Sequence, residues 1–139
     1  MPVSGVSGFL RSPESVSAMA KLVMTVDDSA SMRDMIRFTL QNAGYEVAEA
    51  GDGREAVRKL ATCAPGLLIT DLNMPNMDGL ELIRQVRLMP AFRYLPIVML
   101  TTESQDAKKQ AGRAAGASGW IVKPFRGEQL VAVAKKFLP

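Results

Sequence analysis

The sequence predicts an α/β domain in which helices cover both faces of a five-stranded parallel sheet. From Lys21 onward, short apolar runs alternate with amphipathic segments, which is the pattern of repeated β-α units. Each apolar run has about the length of an ordinary strand. The predicted strands are residues 21–26, 45–50, 66–70, 97–101 and 119–122. A chain of 139 residues is long enough for one domain of this kind.

Capping residues and apolar spacing predict five helices between and after these strands. Ser31 with Asp34 is predicted to open the first helix, and Gly44 to end it in a left-handed conformation. The other helices are predicted to begin after Asp52, after Asp78, near Ser104 and near Glu128. The helix at 104–116 has mainly alanine at its inner positions. It buries little apolar area, so we expect it to be the least firmly held helix.

Charge and composition remove several classes of function. The formal net charge is +3, and the 17 lysines and arginines are scattered, so no nucleic-acid partner is expected. The chain has no histidine, which excludes a Ser-His-Asp triad and a histidine-based zinc site. No apolar run approaches the roughly 20 residues that cross a bilayer. Membrane insertion is therefore not expected.

The single cysteine and the amino-terminal segment bear on the compartment. Cys63 rules out an internal disulfide and is interpreted as a packed helix residue, which agrees with a reducing compartment. Residues 1–20 are rich in serine and glycine and lack the apolar core of a signal peptide. We expect these residues to form a flexible tail before a domain at 21–139, with no output domain after it. The expected location is the cytoplasm.

Four of the predicted strands end at residues that bind charge or donate hydrogen bonds. The first ends at Asp27 and Asp28, the third at Asp71, the fourth at Thr101 and the fifth at Lys123. Carboxyl ends of parallel strands share one edge of the sheet, where such folds bind ligands. Three crowded carboxylates favour a hard divalent cation such as Mg²⁺. The lysine and the hydroxyl are suited to a phosphoryl group, which an aspartate oxygen can accept as an acyl phosphate.

Four segments carry a resemblance to response-regulator receiver domains. They are Val26-Asp27-Asp28-Ser29, the run from Asp71 to Gly79, Leu100-Thr101-Thr102-Glu103, and the run from Gly116 to Phe125. The resemblance extends from Lys21 to the end of the chain, and within the family it is strongest to single-domain chemotaxis regulators of the CheY type. It implies a flavodoxin-like, doubly wound, three-layer αβα fold with the strand order 2-1-3-4-5.

The resemblance also implies the chemistry of the acidic residues. Asp71 would accept phosphate from a histidine kinase of the chemotaxis type. Asp28, Asp71 and the backbone carbonyl of Asn73 would bind Mg²⁺, and Asp27 would act on the ion through a water molecule. The protein would catalyse only its own phosphotransfer and dephosphorylation, so it is classed as a signalling phosphoacceptor and not as an enzyme.

Further roles follow from the same resemblance. Lys123 would pair with the phosphoryl group, Thr101 would bind it after activation, and Trp120 would rotate as the switch aromatic. The Lys123-Pro124 peptide is expected to be cis. Asn73 and Glu103, each two residues beyond a pocket residue, would tune dephosphorylation; simple solvation of a loop is the other interpretation of both.

One surface is predicted to bind the downstream protein, either the flagellar motor switch or another target. We call it the partner face, and it consists of Lys108, Lys109, Trp120, Arg126 and Lys135. Its positive charge suits an acidic partner segment, although a merely solubilising surface has the same composition. The protein is expected to be a monomer.

Other functions remain open from the residues alone. A receiver of this kind can also act as a phosphate sink or as an unphosphorylated adaptor. An aspartate-nucleophile phosphatase of the haloacid-dehalogenase type shares the strand-end aspartate, Mg²⁺, threonine and lysine. It usually has an acid two residues after the nucleophile, where this chain has Asn73. A flavodoxin-like cofactor binder is less well supported, because no glycine-rich or hydroxyl-rich phosphate loop follows the first strand.

Overall fold

The computed structural model describes residues 21–102 and 106–139, and these form five strands and five α-helices. The strands are β1 (Leu22–Val26), β2 (Glu46–Ala50), β3 (Leu67–Asp71), β4 (Ile97–Thr102) and β5 (Gly119–Lys123). The helices are α1 (Ala30–Asn42), α2 (Gly53–Leu60), α3 (Gly79–Leu88), α4 (Asp106–Ala115) and α5 (Gly127–Phe137). The predicted tail at 1–20 lies outside the described residues.

The five strands make one parallel sheet in the order β2-β1-β3-β4-β5. This confirms the strand order that the resemblance implied. In register, Val26 of β1 pairs with Thr70 of β3, and Asp71 pairs with Leu100 of β4. The next residue, Thr101, pairs with Val122 of β5. The carboxyl ends of four strands therefore lie side by side.

Alternate side chains of each strand supply two separate cores, because successive residues of a strand point to opposite faces. Met24, Leu68 and Met99 pack with helices α2 and α3 on one face. Val23 and Ile69 pack with helices α1 and α5 on the other. Buried central strands without polar alternation are typical of parallel sheets covered on both sides. The prediction of helices on both faces is confirmed.

Helix α1 begins two residues earlier than predicted. Its N-cap is Ser29, whose Oγ accepts a hydrogen bond from the Met32 N–H at 3.2 Å, so the assignment of this role to Ser31 was wrong. Both serines suit a cap, but Ser29 directly follows the strand-end acids and leaves the shorter connection. Gly44 has φ of +98°, which confirms the predicted left-handed end of the helix.

Helices α2 and α3 begin as predicted. Asp52 and Asp78 are their N-caps, and each carboxylate accepts a hydrogen bond from the backbone N–H three residues later, at 2.8 and 2.9 Å. Helix α3 ends at Leu88, before Pro90, and a single 3-10 turn, Pro90–Phe92, follows it. These local signals were sufficient because they act within one turn of the helix.

Helix α4 packs closely on the sheet through a glycine. Gly112 is the buried residue of this helix, and a Cβ atom at this position would lie 1.9 Å from the Met99 sulfur. The absence of a side chain lets the helix backbone approach β4. Residues 103–105, which include the predicted start at Ser104, lie outside the described residues. Among the described helices, none is long and apolar enough to span a membrane.

Candidate functional site at the carboxyl edge of the sheet

Three carboxylates meet where β1 and β3 end. One side-chain oxygen from each of Asp27, Asp28 and Asp71 lies within 4.8 Å of the other two. Asp27 and Asp71 are only 1% and 8% exposed, whereas Asp28 is open to solvent. Carboxylates this close repel one another unless positive charge is shared among them. The structure thus brings together the acids that the sequence placed at this edge.

Lys123, at the end of β5, supplies positive charge to this cluster. Its Nζ donates a hydrogen bond to Asp71 Oδ1 at 3.1 Å and lies 3.7 Å from Asp27 Oδ2. The lysine side chain is mostly buried, so water screens these contacts less than it screens a surface ion pair. One ammonium therefore balances part of the charge of two carboxylates.

Backbone amides fix the orientation of the two buried carboxylates. Asp71 Oδ1 accepts a hydrogen bond from the Leu72 N–H at 2.9 Å, and Asp27 Oδ1 accepts one from the Ser29 N–H at 2.9 Å. Asp27 Oδ2 is buried and has no hydrogen-bond partner among the described residues. Burial raises the pKa of Asp27, the Ser29 N–H opposes this shift, and the charge of Asp71 adds to it. The site is short of positive charge at Asp27.

This donor set fits a hard divalent cation. Asp27, Asp28 and Asp71 provide oxygen ligands, and the unpartnered Asp27 Oδ2 is a buried acceptor that a cation would satisfy. Asn73, whose backbone carbonyl was predicted as a further ligand, lies two residues beyond Asp71 in an exposed loop. The acidic cluster is thus compatible with Mg²⁺.

Thr101 is the hydroxyl residue next to this cluster. It lies on β4, one residue beyond the Leu100 that pairs with Asp71, and it is fully buried. Its Oγ1 has no hydrogen-bond partner among the described residues. A buried hydroxyl without a partner is unfavourable, so this one is available to a ligand that enters the pocket.

Two residues that support the pocket were given no role in the sequence analysis. Arg33 Nη1 donates a hydrogen bond to the Asp27 carbonyl oxygen at 2.6 Å, and Arg33 Nε lies 3.3 Å from Glu49 Oε1. Gly79 begins α3 against the pocket, because a Cβ there would lie 2.3 Å from the Asp71 carbonyl oxygen. A cation six residues after the first acid and a glycine after the Asp78 cap were the available signals.

The predicted switch aromatic, Trp120, faces outward in this structure. It is 40% exposed, and its ring centroid lies 5.9 Å from Lys109 Nζ and 5.4 Å from Arg113 Cζ, within cation-π range. Arg113 was not among the residues predicted for this face. The Lys123-Pro124 peptide is cis, as expected.

The other residues of the predicted partner face have different contacts. Lys109 forms an ion pair with Asp106 at 3.4 Å, Arg126 forms one with Glu128 at 3.1 Å, and Lys135 is exposed near the end of α5. Lys108 instead donates a hydrogen bond to Asn73 Oδ1 at 2.8 Å, so its ammonium is bound to the loop after Asp71. Glu103 lies outside the described residues.

A parallel sheet in this order, with an acid cluster and a lysine at its carboxyl edge, defines the class of doubly wound α/β domains that bind a ligand at the switch point of the sheet. Within this class the family is clear, since the model of the response regulator receiver domain matches residues 23–135. The chain belongs to the response-regulator receiver family.

Several known response regulators are similar to this chain. The chemotaxis protein CheY1 of Helicobacter pylori is 46% identical over 110 residues, which cover 78% of this chain and 89% of that protein. The structure of the chemotaxis response regulator CheY4 of Vibrio cholerae is 48% identical, with a TM-score of 0.80 over 84% of this chain and 98% of that one. A putative response regulator from Chloroflexus aurantiacus is 37% identical, with a TM-score of 0.81 over 85% of this chain and 97% of that one. The chain is thus a receiver of the CheY type.

Proposed function

We propose that Asp71 takes a phosphoryl group from a histidine kinase in a Mg²⁺-dependent reaction, as part of a chemotaxis pathway in the cytoplasm. The observation that carries this proposal is the contact of Lys123 Nζ with Asp71 Oδ1 at 3.1 Å beside the acidic cluster. The family membership supports phosphoacceptor signalling, and the chemotaxis assignment is taken from the names of CheY1 and CheY4.

The reaction is an in-line displacement at phosphorus. An oxygen of the Asp71 carboxylate forms the new bond, while the bond between phosphorus and the kinase imidazole nitrogen breaks and that nitrogen keeps the electron pair. Both donors that the described residues give to Asp71 bind Oδ1, which leaves Oδ2 for the attack. Lys123 would then neutralise charge on the transferred oxygens.

Mg²⁺ would be held by Asp28, Asp71 and the Asn73 carbonyl, with Asp27 assisting. When bound, the ion supplies positive charge that offsets the carboxylates and the phosphoryl oxygens. By helping to hold this ion, Asp27 and Asp28 would reduce the repulsion between Asp71 and an anionic phosphodonor. The Arg33 guanidinium keeps this pair in place through the Asp27 carbonyl.

The phosphorylated state would be read at the partner face. A phosphoryl group adds about −1.5 to −2 charge with three acceptor oxygens, and the unpartnered Thr101 hydroxyl is a donor that it would attract. Movement of Thr101 leaves space beside β4, toward which Trp120 would turn from its outward position. A target such as the flagellar motor switch would then bind the active conformation and stabilise it. By the same coupling, phosphorylation would raise the affinity of the protein for that target.

The comparisons give no separate support to the sink, adaptor or phosphatase alternatives. Position 73, two residues after Asp71, holds an asparagine, whereas a phosphatase of the haloacid-dehalogenase type usually has an acid there. The phosphoacceptor function is therefore the one that we put to the test.

The test is covalent labelling by a small phosphodonor in Mg²⁺. Asp71→Asn should abolish the label, whereas Asp34→Asn, at an exposed position of α1, should leave it intact. Equal labelling of the two variants would show that Asp71 is not the phosphoacceptor. Trp120 is the only tryptophan, so its fluorescence after addition of Mg²⁺ and beryllium fluoride measures the switch. An emission spectrum that stays unchanged on binding would refute the inward turn of Trp120.

A further inference from the structure

A side chain of α4 is bound to the loop that follows Asp71. Lys108 Nζ donates a hydrogen bond to Asn73 Oδ1 at 2.8 Å, across 35 positions of the chain. Lys108 lies in the first turn of α4, and Asn73 lies two residues beyond Asp71. Both residues are exposed, so the contact is accessible to water.

The chemistry of the two groups determines how the Asn73 carboxamide is oriented. An ammonium has only donors, whereas a carboxamide has one acceptor oxygen and one donor nitrogen. Lys108 can therefore bind only Oδ1, and this leaves the N–H groups of Asn73 for the other neighbours of that side chain. With Lys108 in place, Asn73 acts toward nearby water mainly as a hydrogen-bond donor.

This orientation matters for hydrolysis of an acyl phosphate at Asp71. A water oxygen forms a bond to phosphorus, the bond between phosphorus and the carboxylate oxygen breaks, and the water gives up a proton to solvent. An acceptor beside the water aligns the lone pair for attack by binding a water hydrogen. A donor has the opposite effect, because it binds the lone pair that must reach phosphorus.

We propose that Lys108 is a positioning residue that prolongs the lifetime of the phosphorylated state by holding Asn73 Oδ1 away from the attacking water. The inference rests on the proposed function of Asp71. This role also sets Lys108 apart from the other residues of the partner face. The Lys108 ammonium is bound to the loop after Asp71, whereas the neighbouring Lys109 lies against Trp120. The stability of the phosphate signal would thereby be set by a residue of α4.

The experiment measures the decay of the label after the protein is phosphorylated with acetyl phosphate in Mg²⁺ and the excess donor is removed. Lys108→Met should accelerate the decay by about three- to tenfold, the range that one hydrogen bond produces in a rate. Lys108→Arg keeps a donor for Oδ1 and should decay as the wild type does. Lys136→Met removes the same charge from an exposed position of α5 and should leave the decay unchanged.

A second background separates the hydrogen bond from a general effect of charge. In Asn73→Ala, the substitution Lys108→Met should have no further effect, because the group that it positions is absent. The same acceleration in both backgrounds, or a slower or unchanged decay of Lys108→Met alone, would overturn this inference and leave the proposed function intact. A wild-type protein that takes no label from acetyl phosphate would remove the proposed function first, and this inference with it.

Discussion

Lys123 Nζ and Asp71 Oδ1 lie 3.1 Å apart, although 52 positions of the chain separate the two residues. Their strands are not neighbours, since β4 lies between β3 and β5. The lysine therefore reaches past the end of β4, where its register partner Thr102 lies, to the acidic cluster. This contact joins the last strand of the sheet to the carboxylate at the end of its middle strand, β3.

Removal of this lysine should destabilise the protein as well as impair phosphorylation. Lys123→Met leaves two buried carboxylates without their cation, so we expect a loss of about 1–3 kcal/mol in the free energy of unfolding, measured by urea titration in EDTA. Mg²⁺ should recover part of the loss, because it supplies charge to the same carboxylates. Lys136→Met is the matched control. Equal stability of the two variants in EDTA would contradict this account of the ion pair.

The raised pKa of Asp27 predicts a stability that falls as pH rises. Burial favours the neutral acid, so above the reference value of 3.8 the folded state holds a proton that the unfolded state has lost. The free energy of unfolding then decreases with pH until it passes the folded pKa of Asp27. In EDTA, the stability of Asp27→Asn relative to the wild type should therefore rise as the pH increases above 3.8.

The control for this pH dependence is Asp34→Asn, which removes an exposed carboxylate from α1. This variant should not reproduce the gain expected for Asp27→Asn, because the carboxylate that it removes is exposed. If the free energies of unfolding of both variants change with pH as that of the wild type does, burial does not penalise the charged form of Asp27. If Mg²⁺ fails to reduce the advantage of Asp27→Asn, the ion does not offset the charge of this carboxylate.

Two buried threonines should respond differently to replacement by valine. Thr70 Oγ1 donates to the Asp71 carbonyl oxygen at 2.8 Å, whereas Thr101 Oγ1 has no partner among the described residues. We expect Thr70→Val to reduce stability by about 1 kcal/mol, and Thr101→Val to be neutral or stabilising. Thr101→Val should nevertheless abolish the fluorescence response of Trp120 to beryllium fluoride. A large loss of stability in Thr101→Val would show that its hydroxyl is already satisfied.

The close approach of α4 to the sheet predicts the effect of a single methyl group. In Gly112→Ala the new Cβ would overlap the buried Met99 side chain, and the resulting shift should outweigh the gain in helix propensity. We expect a net loss of about 1 kcal/mol in thermal or urea unfolding. Ala114→Leu adds volume at an exposed position of the same helix and should change stability by less than about 0.5 kcal/mol.

The sheet and the acid cluster were predictable because each strand has a local signal in the sequence and because the fold places the strand ends together. Apolar runs mark the strands, and in a parallel sheet every strand delivers its final residues to the same edge. Asp27, Asp28 and Asp71 therefore had to meet once the strand order was known. The strand order itself came from the resemblance and not from the apolar pattern.

Other contacts depend on details that the pattern of residues does not contain. The choice of Ser29 over Ser31 as N-cap depends on where the chain turns after β1. The binding of Lys108 to Asn73 depends on the rotation of α4 about its axis, and both faces of that helix carry polar residues. Without strong apolar residues on α4, the sequence gives no reliable sign of which lysine faces the pocket.

Arg33 links Asp27 to Glu49 of β2, and Arg37 lies 2.5 Å from the same glutamate. Strand β2 contributes no side chain to the acidic cluster, but through Glu49 and Arg33 it helps to hold Asp27 in position. Anyone who grafts this pocket onto another parallel sheet must therefore transplant the outer strand's glutamate and the helix's two guanidinium groups along with the aspartates.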